Sequence, residues 1–405
     1  MCVYRRLINK KVDKGELMDF SFSQEQEQFR QEVRGFLEAE LDKGTFSTKS
    51  NYFIETSSPE FSRKLAEKGW LGLTWPREYG GAERSYVDRT ILMEELMRYQ
   101  APLMYHFFGE RQMGPGLMHF GSEELKQEFL PRIINAEISF CLGMSEPGAG
   151  SDVAAVKTIA REEGDYYVIN GQKIWTTHAH NADYIWTLAI TDPEGPKHRN
   201  LSEFIVDIKT PGVTVRPLLN MIGVHSFNEV YFDDVKVHKK YLVGQKNRGF
   251  QQILAQVDYE RAGIERLMQN YPLLVGIKNY VKDAPLASDS LVRDKLAQLE
   301  VEFQIGRLLV YKVAWVIDSG KIPNYEAAVS KSFCTEYEQR LGNVATEILG
   351  QFGHVMSGFP NTPLNGDAAE SYLWSPSYTI QGGTSEILKM VIATRGLGLV
   401  FEGRR

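Results

Sequence analysis

The spacing of apolar residues divides the chain into three blocks, of which the first has a helical pattern. From residue 23 to residue 130, apolar side chains recur every three or four positions, as one face of an α-helix requires. The clearest positions are Phe29, Val33, Phe36, Leu37, Ile91, Leu92 and Leu96. Glycine and proline interrupt the pattern at residues 75–76, 80–81 and 114–116. They predict short connections between helices and, at residues 114–116, a break in the helical pattern.

The second block, from about residue 138 to residue 249, has short alternating or β-branched runs that predict strands. The clearest runs are residues 166–169, 201–206 and 229–237. Asn170-Gly171 is a typical tight-turn pair, so we expect a turn between residues 166–169 and the run that starts at Lys173. This block is predicted to be a β domain.

The third block returns to helical spacing and keeps it over residues 250–268, 291–319 and 325–351, which predicts a bundle of helices. The three blocks are of similar length, and the sequence has neither a low-complexity linker nor an internal repeat. Their order therefore predicts one compact α+β architecture. We expect its domains at residues 18–137, 138–249 and 250–405.

Composition narrows the function classes. Hydrophobic residues make up 43% and charged residues 24% of the 405 residues, which is typical of a soluble globular protein. The longest apolar stretch, residues 308–317, is interrupted by Lys312 and falls short of the roughly 20 residues that a membrane span needs. A net charge of −6 disfavours nucleic acid as a partner. Three separated cysteines, without a C-x-x-C or H-E-x-x-H motif, predict a reducing cytoplasm and no metal site.

The first seventeen residues need a separate interpretation. They are basic and have neither the apolar segment nor the small-residue cleavage site of a secretory signal. The run K-G-E-L at residues 14–17, directly before Met18, is the sequence expected if a purine-rich ribosome-binding site were translated in frame. We therefore expect the natural start at Met18 and a non-native or disordered extension at residues 1–17.

A glycine-rich segment at residues 144–152, M-S-E-P-G-A-G-S-D, has residue types suited to binding an anion. Its glycines allow a ligand to approach the main chain, and its hydroxyl and N–H groups can hold a phosphate. A plain glycine-rich turn is the alternative, because Val153 stands where the nucleotide motif G-x-G-x-x-G needs glycine.

Two further segments could contact a ligand. Trp175 and Thr177 are two residues apart, which on a strand would place a large ring and a hydroxyl on one face, suited to a flat heteroaromatic ligand. A core tryptophan beside an ordinary strand threonine is the alternative. Near the C-terminus, two glycines precede a predicted helix with Thr384 as its cap and Glu386 in its first turn. This helix start could hold a ligand or be a cap alone.

The motifs E-P-G-A-G-S-D, N-G-Q-K-x-W-x-T, D-x-E-R and G-G-T-S-E-I, in this order and at these intervals, resemble the acyl-CoA dehydrogenase family from about Met18 to the end. The resemblance implies an N-terminal helical domain, a small central β-barrel domain and a C-terminal four-helix bundle, with FAD in the cleft between them. It also implies a set of residues that contact FAD. These are Leu142, Met144, Ser145, Gly150, Ser151, Trp175, Thr177, Glu347, Gly350, Gln351, Gly383, Thr384, Ser385 and Glu386.

The position of the catalytic base differs from that in most of the family, whose glutamate stands where this chain has Gly382. A smaller group, similar to isovaleryl- and long-chain-acyl-CoA dehydrogenases, has its glutamate on the first helix of the C-terminal bundle, which here is Glu260. The resemblance implies that Glu260 removes the α-proton while the N–H of Gly382 helps to stabilise the enolate. The alternative is an ordinary solvated glutamate paired with Arg261. Glu265, five residues on, is expected on another face of the helix.

The same resemblance implies an acyl-CoA thioester as substrate, a tetrameric assembly and an electron-transferring flavoprotein as electron acceptor. The implied substrate contacts are Ser151, Asp258, Tyr259, Arg261 and Gln381.

Two family features are absent from the sequence. Residues 280–290 lack an R-x-x-F-G motif, and Glu347 and Gln351 replace the glutamine and second glycine of a Q-x-x-G-G-x-G stretch. These departures resemble the branch that acts on bulky thioesters such as steroid side chains, where two unlike subunits sometimes assemble. Two other functions stay open: a flavin oxidase or monooxygenase on the same fold, and a non-catalytic subunit.

Overall fold

The computed structural model describes residues 20–47, 56–260, 263–282 and 284–400. The side chains of residues 255 and 257–260 lie outside this description, as do Arg261 and the expected extension at residues 1–17. Helices lie at both ends of the described chain and a sheet lies between them, which confirms the predicted α+β fold.

Six α-helices form the described part of the N-terminal block. They are α1 (Gln24–Asp42), α2 (Pro59–Glu67), α3 (Tyr86–Arg98), α4 (Met104–Phe108), α5 (Gly114–Phe120) and α6 (Glu123–Ile134). Four of them, α1, α2, α3 and α6, begin at a serine whose hydroxyl accepts a hydrogen bond from the main-chain N–H three residues later. Such a cap satisfies a donor that the first helical turn leaves unpaired. Phe29, Val33 and Leu37 are buried, as the helical pattern predicts.

The predicted break at residues 114–116 is wrong, because α4 and α5 are joined into one continuous helix by a π-helical turn, Gly109–Met113. Pro115 has no N–H to donate to the preceding turn, and the wider turn before it accommodates this loss. The glycines are needed for packing instead. A Cβ at Gly114 would lie 2.0 Å from the ring of Trp75, and one at Gly116 would lie 3.2 Å from the ring of Trp186.

Eight strands of the middle block belong to one sheet. They are β1 (Phe140–Gly143), β2 (Ile159–Glu163), β3 (Tyr166–Lys173), β4 (Tyr184–Ile190), β5 (Leu201–Asp207), β6 (Val213–Leu219), β7 (His225–His238) and β8 (Leu242–Val243). The strand order is β6-β7-β3-β2-β4-β5-β8, and β1 runs parallel to β4. Ile169, Ile185, Phe204 and Val235 are part of a buried cluster within this block. The predicted β domain is therefore confirmed.

Asn170-Gly171 does not form the predicted tight turn. Both residues lie inside β3, whose pairing with β7 shifts by one residue after Ile169, so the irregularity is a β-bulge. A Cβ at Gly171 would come within 2.4 Å of the Thr158 hydroxyl. The glycine is therefore required by the close approach of a neighbouring segment, and the turn between β2 and β3 lies at residues 164–165.

Six more α-helices occur among the described residues of the C-terminal block. They are α7 (Gly249–Glu260), α8 (Tyr271–Lys282), α9 (Ser290–Asp318), α10 (Tyr325–Leu349), α11 (Asp367–Trp374) and α12 (Ser385–Val391). The helix predicted over residues 250–268 is too long, since Gly263 has an extended conformation and a separate 3₁₀ turn, Ile264–Arg266, follows it. Glu265 is thus on no face of α7. It is buried, and its carboxylate lies 2.5 Å from the guanidinium of Arg111.

The helices from both ends of the chain share one hydrophobic core. Phe29 and Leu96 of the N-terminal block belong to the same buried cluster as Leu267, Phe303 and Tyr337 of the C-terminal block. The two helical blocks therefore pack as one body, as the sequence predicts. Within the described ranges, no helix is both long enough and apolar enough to cross a membrane.

A buried ion network crosses the same boundary between the helical blocks. Glu94 of α3 accepts hydrogen bonds from Arg30 of α1 at 2.9 Å and from Arg307 of α9 at 2.6 Å. Tyr311 of α9 donates to the same carboxylate at 2.6 Å. Burial would raise the pKa of Glu94, but the two guanidinium groups outweigh burial and hold the pKa at about 2.

Candidate functional site

The glycine-rich segment at residues 144–152 forms a tight loop after β1. The main chains of Glu146 and Ala149 exchange two hydrogen bonds, of 2.9 and 3.0 Å. A Cβ built at Gly148 or Gly150 would meet nothing within 4 Å beyond its chain neighbours. One side of the loop is therefore open, and a ligand can approach the main chain closely there.

A buried ion pair fixes this loop to β3. Lys173 is fully buried, and its Nζ lies 2.9 Å from Oε1 of Glu146. The carboxylate also accepts the N–H groups of Lys157 and Thr158, at 2.5 and 2.9 Å. Burial lowers the pKa of Lys173 to about 8, although Glu146 opposes this shift. Burial would raise the pKa of Glu146, but Lys173 and the N–H donors hold it below its ordinary value.

Sequence reasoning missed this ion pair, although each partner leaves a signal. Lys173 stands in the inward alternation of a predicted strand, and Glu146 stands among small residues. A charge placed in a core needs an opposite charge. A buried lysine on the strand and a glutamate in the glycine-rich segment could have been paired from the sequence, but only once the inward face of the strand was known.

Trp175 and Thr177 do not lie on a strand, so the prediction that they share a strand face is wrong. β3 ends at Lys173, and Trp175 has a left-handed main chain with φ of 59°. The N–H of Ile174 leaves the sheet and donates to the carbonyl of Ser145 at 2.9 Å. Trp175 is 56% exposed, which is unusual for this residue. Its ring therefore offers an open aromatic surface beside the glycine-rich loop.

Aromatic rings connect the Trp175 turn to the C-terminal helices. The ring of Trp175 meets that of Phe227 on β7 edge to face, with centroids 5.8 Å apart and planes at 84°. Phe227 in turn stacks on Trp374 of α11, with centroids 5.8 Å apart and planes at 8°. These contacts join the Trp175 turn to the end of α11, which leads into the turn before the G-G-T-S-E-I segment.

The G-G-T-S-E-I segment begins α12 as predicted. Gly382 and Gly383 have left-handed φ values of 65° and 98°, which favour glycine. Thr384 is the N-cap of α12, and its hydroxyl accepts the N–H of Ile387 at 3.3 Å. Ser385 is buried, and its hydroxyl has no hydrogen-bond partner among the described residues. A ligand at this helix start could supply that partner.

The helix that ends at Glu260 is anchored to the middle domain. Gln252 and Gln256 of α7 donate to the carboxylate of Glu203 on β5, at 2.6 and 3.3 Å, and the indole N–H of Trp186 donates to it at 2.9 Å. Burial raises the pKa of Glu203 to about 7, although the three donors oppose the shift.

The other predicted site residues have different positions. The side chains of Asp258, Tyr259 and Glu260, and all of Arg261, lie outside the described residues, so their roles stay predictions. Partly buried positions are those of Leu142, Met144, Ser145, Thr177 and Gln381, and exposed positions are those of Ser151 and Glu386.

Glu347, Gly350 and Gln351 lie at the C-terminal end of α10 and in the turn that follows it, at exposed positions. The Nζ of Lys295 lies 2.5 Å from the carboxylate of Glu347. This cation offsets the negative charge that glutamate introduces at a position that the family resemblance implies is in contact with FAD.

Three family models match the chain one after another. They describe the N-terminal domain of acyl-CoA dehydrogenase over residues 23–137, its middle domain over residues 141–235 and its C-terminal domain over residues 247–397. Together they cover most of the chain and follow the helical, β and helical blocks.

Curated relatives match along nearly their whole length. Acyl-CoA dehydrogenase IpdE1 of Mycobacterium tuberculosis is 34% identical over 390 residues, which are 94% of this chain and 100% of the relative. Glutaryl-CoA dehydrogenase of Desulfococcus multivorans is 29% identical over 399 residues, which are 94% of this chain and 99% of the relative.

Solved structures match as fully. A structure described as the Tcur3481-Tcur3483 steroid ACAD matches with a TM-score of 0.86 and 31% identity, over 95% of this chain and 100% of that chain. The ChsE4-ChsE5 complex from Mycobacterium tuberculosis matches with a TM-score of 0.84 and 30% identity, over 95% and 100%.

Proposed function

Since the chain belongs to the acyl-CoA dehydrogenase family of FAD-dependent oxidoreductases, we propose that it removes a proton and a hydride from adjacent carbons of an acyl-CoA thioester, with Glu260 as the base. The observation that carries the proposal is a chain of contacts that runs from the glycine-rich loop through the Trp175 turn and Phe227 to Trp374, on the helix that precedes the Gly382 segment. These parts of the chain are far apart in the sequence, yet Ile174, Phe227 and Trp374 join them.

The residues around these contacts fit FAD. The exposed ring of Trp175 can lie against a flat isoalloxazine, and the open side of the glycine-rich loop can accept a phosphate. The unpartnered hydroxyl of Ser385, in the first turn of α12, can donate to an oxygen of the cofactor. When bound, FAD supplies the acceptor of the hydride.

Glu260 is the proposed acceptor of the α-proton. Position 382 is glycine and has no carboxylate to offer, so the base must come from another element. A thioester α-proton is too weakly acidic for a carboxylate to remove unless the developing enolate oxygen meets aimed donors. The main-chain N–H of Gly382 is the proposed donor, and Glu260, at the end of a helix anchored through Glu203, takes the proton.

We assign Ser151, Asp258, Tyr259, Arg261 and Gln381 to substrate binding. The departures at Glu347 and Gln351, together with relatives described as a steroid ACAD and as a ChsE4-ChsE5 complex, favour a bulky acyl group. They also favour a tetramer in which a neighbouring subunit, either a second copy of this chain or an unlike chain, contributes residues to the FAD site. An electron-transferring flavoprotein in the cytoplasm is the proposed electron acceptor.

Anaerobic bleaching of the bound flavin by a panel of acyl-CoA thioesters tests the proposal. The panel contains straight-chain, branched and ring-bearing acyl groups, and the product is identified by mass as the 2-enoyl thioester. We expect bleaching by at least one bulky thioester and reduced enzyme that reoxidises slowly in air while product is bound. Fast reoxidation by oxygen would favour an oxidase, and protein that binds the thioesters but carries no flavin would favour an accessory subunit.

A further inference from the structure

Lys331 is a fully buried lysine on α10 that has no role in the site described so far. Its Nζ donates to the main-chain carbonyl of Gly383 at 2.8 Å and to that of Tyr378 at 3.3 Å. Burying an ammonium group is unfavourable unless its charge and its N–H donors are compensated. A lysine at such a buried position is therefore expected to have a role beyond packing.

The two carbonyl groups that Lys331 joins lie on either side of Gly382. Tyr378 belongs to the 3₁₀ turn Ser375–Thr379, and Gly383 is the last residue before the N-cap of α12. The N–H of Gln381 is held by the Ser377 carbonyl at 3.0 Å, so the segment is fixed up to the residue before Gly382. Beyond that point two successive glycines follow, and glycine restricts its own main chain less than any other residue. Lys331 supplies a restraint where the glycines supply none.

We propose that Lys331 is a positioning residue that fixes the orientation of the Gly382 N–H by tying the carbonyls of Tyr378 and Gly383 together. This inference rests on the proposed function, in which that N–H donates to the thioester oxygen. A donor stabilises a developing oxyanion fully only if its direction is set before the reaction. The ammonium group reaches the donor through main-chain bonds and does not itself contact the substrate.

The number of donors on its ammonium group explains why the restraining residue is a lysine. The acceptors are main-chain carbonyls from two directions, and one Nζ with three donors can serve both at once. Gln339, further along α10, donates to the Thr379 hydroxyl at 3.0 Å, on the N-terminal side of Gly382. Lys331 also binds the carbonyl of Gly383, on the C-terminal side of Gly382.

Acetoacetyl-CoA is the probe that tests this inference, because its enolate absorbs in the ultraviolet and forms without turnover. The apparent pKa of the bound ligand is measured in the FAD-loaded wild type, in K331M and in K331Q, whose amide is too short to span both carbonyls. We expect the pKa of the ligand to rise by about one unit or more, a tenfold or greater loss of acidity, in whichever variant retains FAD. Amide hydrogen exchange over residues 378–384 should rise in the same variant.

K389M is the matched control, since Lys389 lies on the neighbouring helix α12, is largely exposed and pairs with Glu336 at 2.9 Å. It should leave both the ligand pKa and the exchange of residues 378–384 unchanged. Wild-type acidity in an FAD-loaded Lys331 variant would overturn the inference, and so would a shifted acidity without faster exchange, since the charge would then act without positioning the loop.

Failure of the proposed function gives a different result. If the wild type binds acetoacetyl-CoA but does not lower its pKa below the value in water, the Gly382 N–H is not an oxyanion donor and the proposed function is wrong. The exchange comparison between wild type and K331M still decides whether Lys331 restrains the loop.

Discussion

Lys173 and Glu146 come from two motifs that are 27 residues apart, and their contact explains why both motifs contain a charged residue. The Glu146 carboxylate accepts hydrogen bonds from the Lys173 ammonium and from the main-chain N–H groups of Lys157 and Thr158. These bonds tie the glycine-rich loop to β3 and to the segment that follows the loop. The open side of that loop can stay free for a ligand because its other side is fixed. A buried pair of this kind is costly to break from one side only.

E146Q should therefore lower both stability and FAD retention. The substitution leaves the buried Lys173 ammonium without its carboxylate, and the free energy of unfolding should fall by about 3–5 kcal/mol. Urea denaturation and the flavin-to-protein ratio after gel filtration measure the two effects. K197M, which breaks the exposed pair with Asp152, should change the free energy of unfolding by no more than about 1 kcal/mol. Equal effects of E146Q and K197M would contradict the role of the buried pair.

At the scale of elements, the sequence correctly predicts the features that are determined by residues close together in the chain. The helical spacing of Phe29, Val33 and Leu37 identifies α1, and the glycines with Thr384 identify the start of α12. These features depend on residues within one or two turns of each other. The proposed cofactor segments and the proposed role of Gly382 follow from the family resemblance, whose motifs are likewise local.

Three of the failed predictions, at Gly114, Gly171 and Trp175, share one cause, which is a partner distant in the sequence. Gly114 fits against Trp75, and Gly171 admits the Thr158 hydroxyl, so neither glycine marks the break or turn that its neighbours suggest. Trp175 leaves the strand because its loop bonds to the Ser145 carbonyl, a residue thirty positions earlier in the chain. Such contacts carry no local signature, and the partners of buried charges stay unknown until the fold is known.

The anchor of α7 gives a pH-dependent prediction at the same scale. Burial raises the pKa of Glu203 to about 7, whereas an unfolded glutamate has a pKa of about 4.3. The native state therefore keeps a proton that the unfolded chain releases. The stability from this proton is complete below about pH 4 and is lost as pH rises through about 7, by an amount on the order of 3 kcal/mol.

E203Q removes this titration, so the difference in unfolding free energy between wild type and E203Q should decrease from pH 5 to pH 8. Urea denaturation of both proteins across that range measures it. E123Q, at an exposed position on α6, is the control and should run parallel to wild type. A difference between wild type and E203Q that does not change with pH would refute the protonation of Glu203 in the native state.

At the scale of the whole molecule, the two helical blocks depend on each other. Their apolar residues form one core, and Glu94 joins α1, α3 and α9 through Arg30 and Arg307. The candidate site takes its segments from the middle and C-terminal blocks, so its geometry depends on how firmly the blocks are held together. The blocks are accordingly expected to unfold together.

E94Q should destabilise both helical blocks at once. The substitution leaves two guanidinium groups without their shared buried carboxylate, and the expected loss is about 3–5 kcal/mol. Far-UV circular dichroism and tryptophan fluorescence should report one coincident urea transition at a lower midpoint. E300Q removes the half-exposed pair with Lys278 and should cost less than about 1 kcal/mol. Separate transitions for the two probes in E94Q would contradict the shared core.

The most direct test of the proposed function is the rate of anaerobic flavin reduction by an acyl-CoA thioester in E260Q. Glutamine keeps the size of the side chain and cannot accept the α-proton, so the rate should fall by roughly 10²- to 10⁴-fold. FAD content and thioester binding should stay close to wild type, which separates loss of the base from loss of the site. Reduction at a near-normal rate in FAD-loaded E260Q would show that another group takes the proton and would contradict the account.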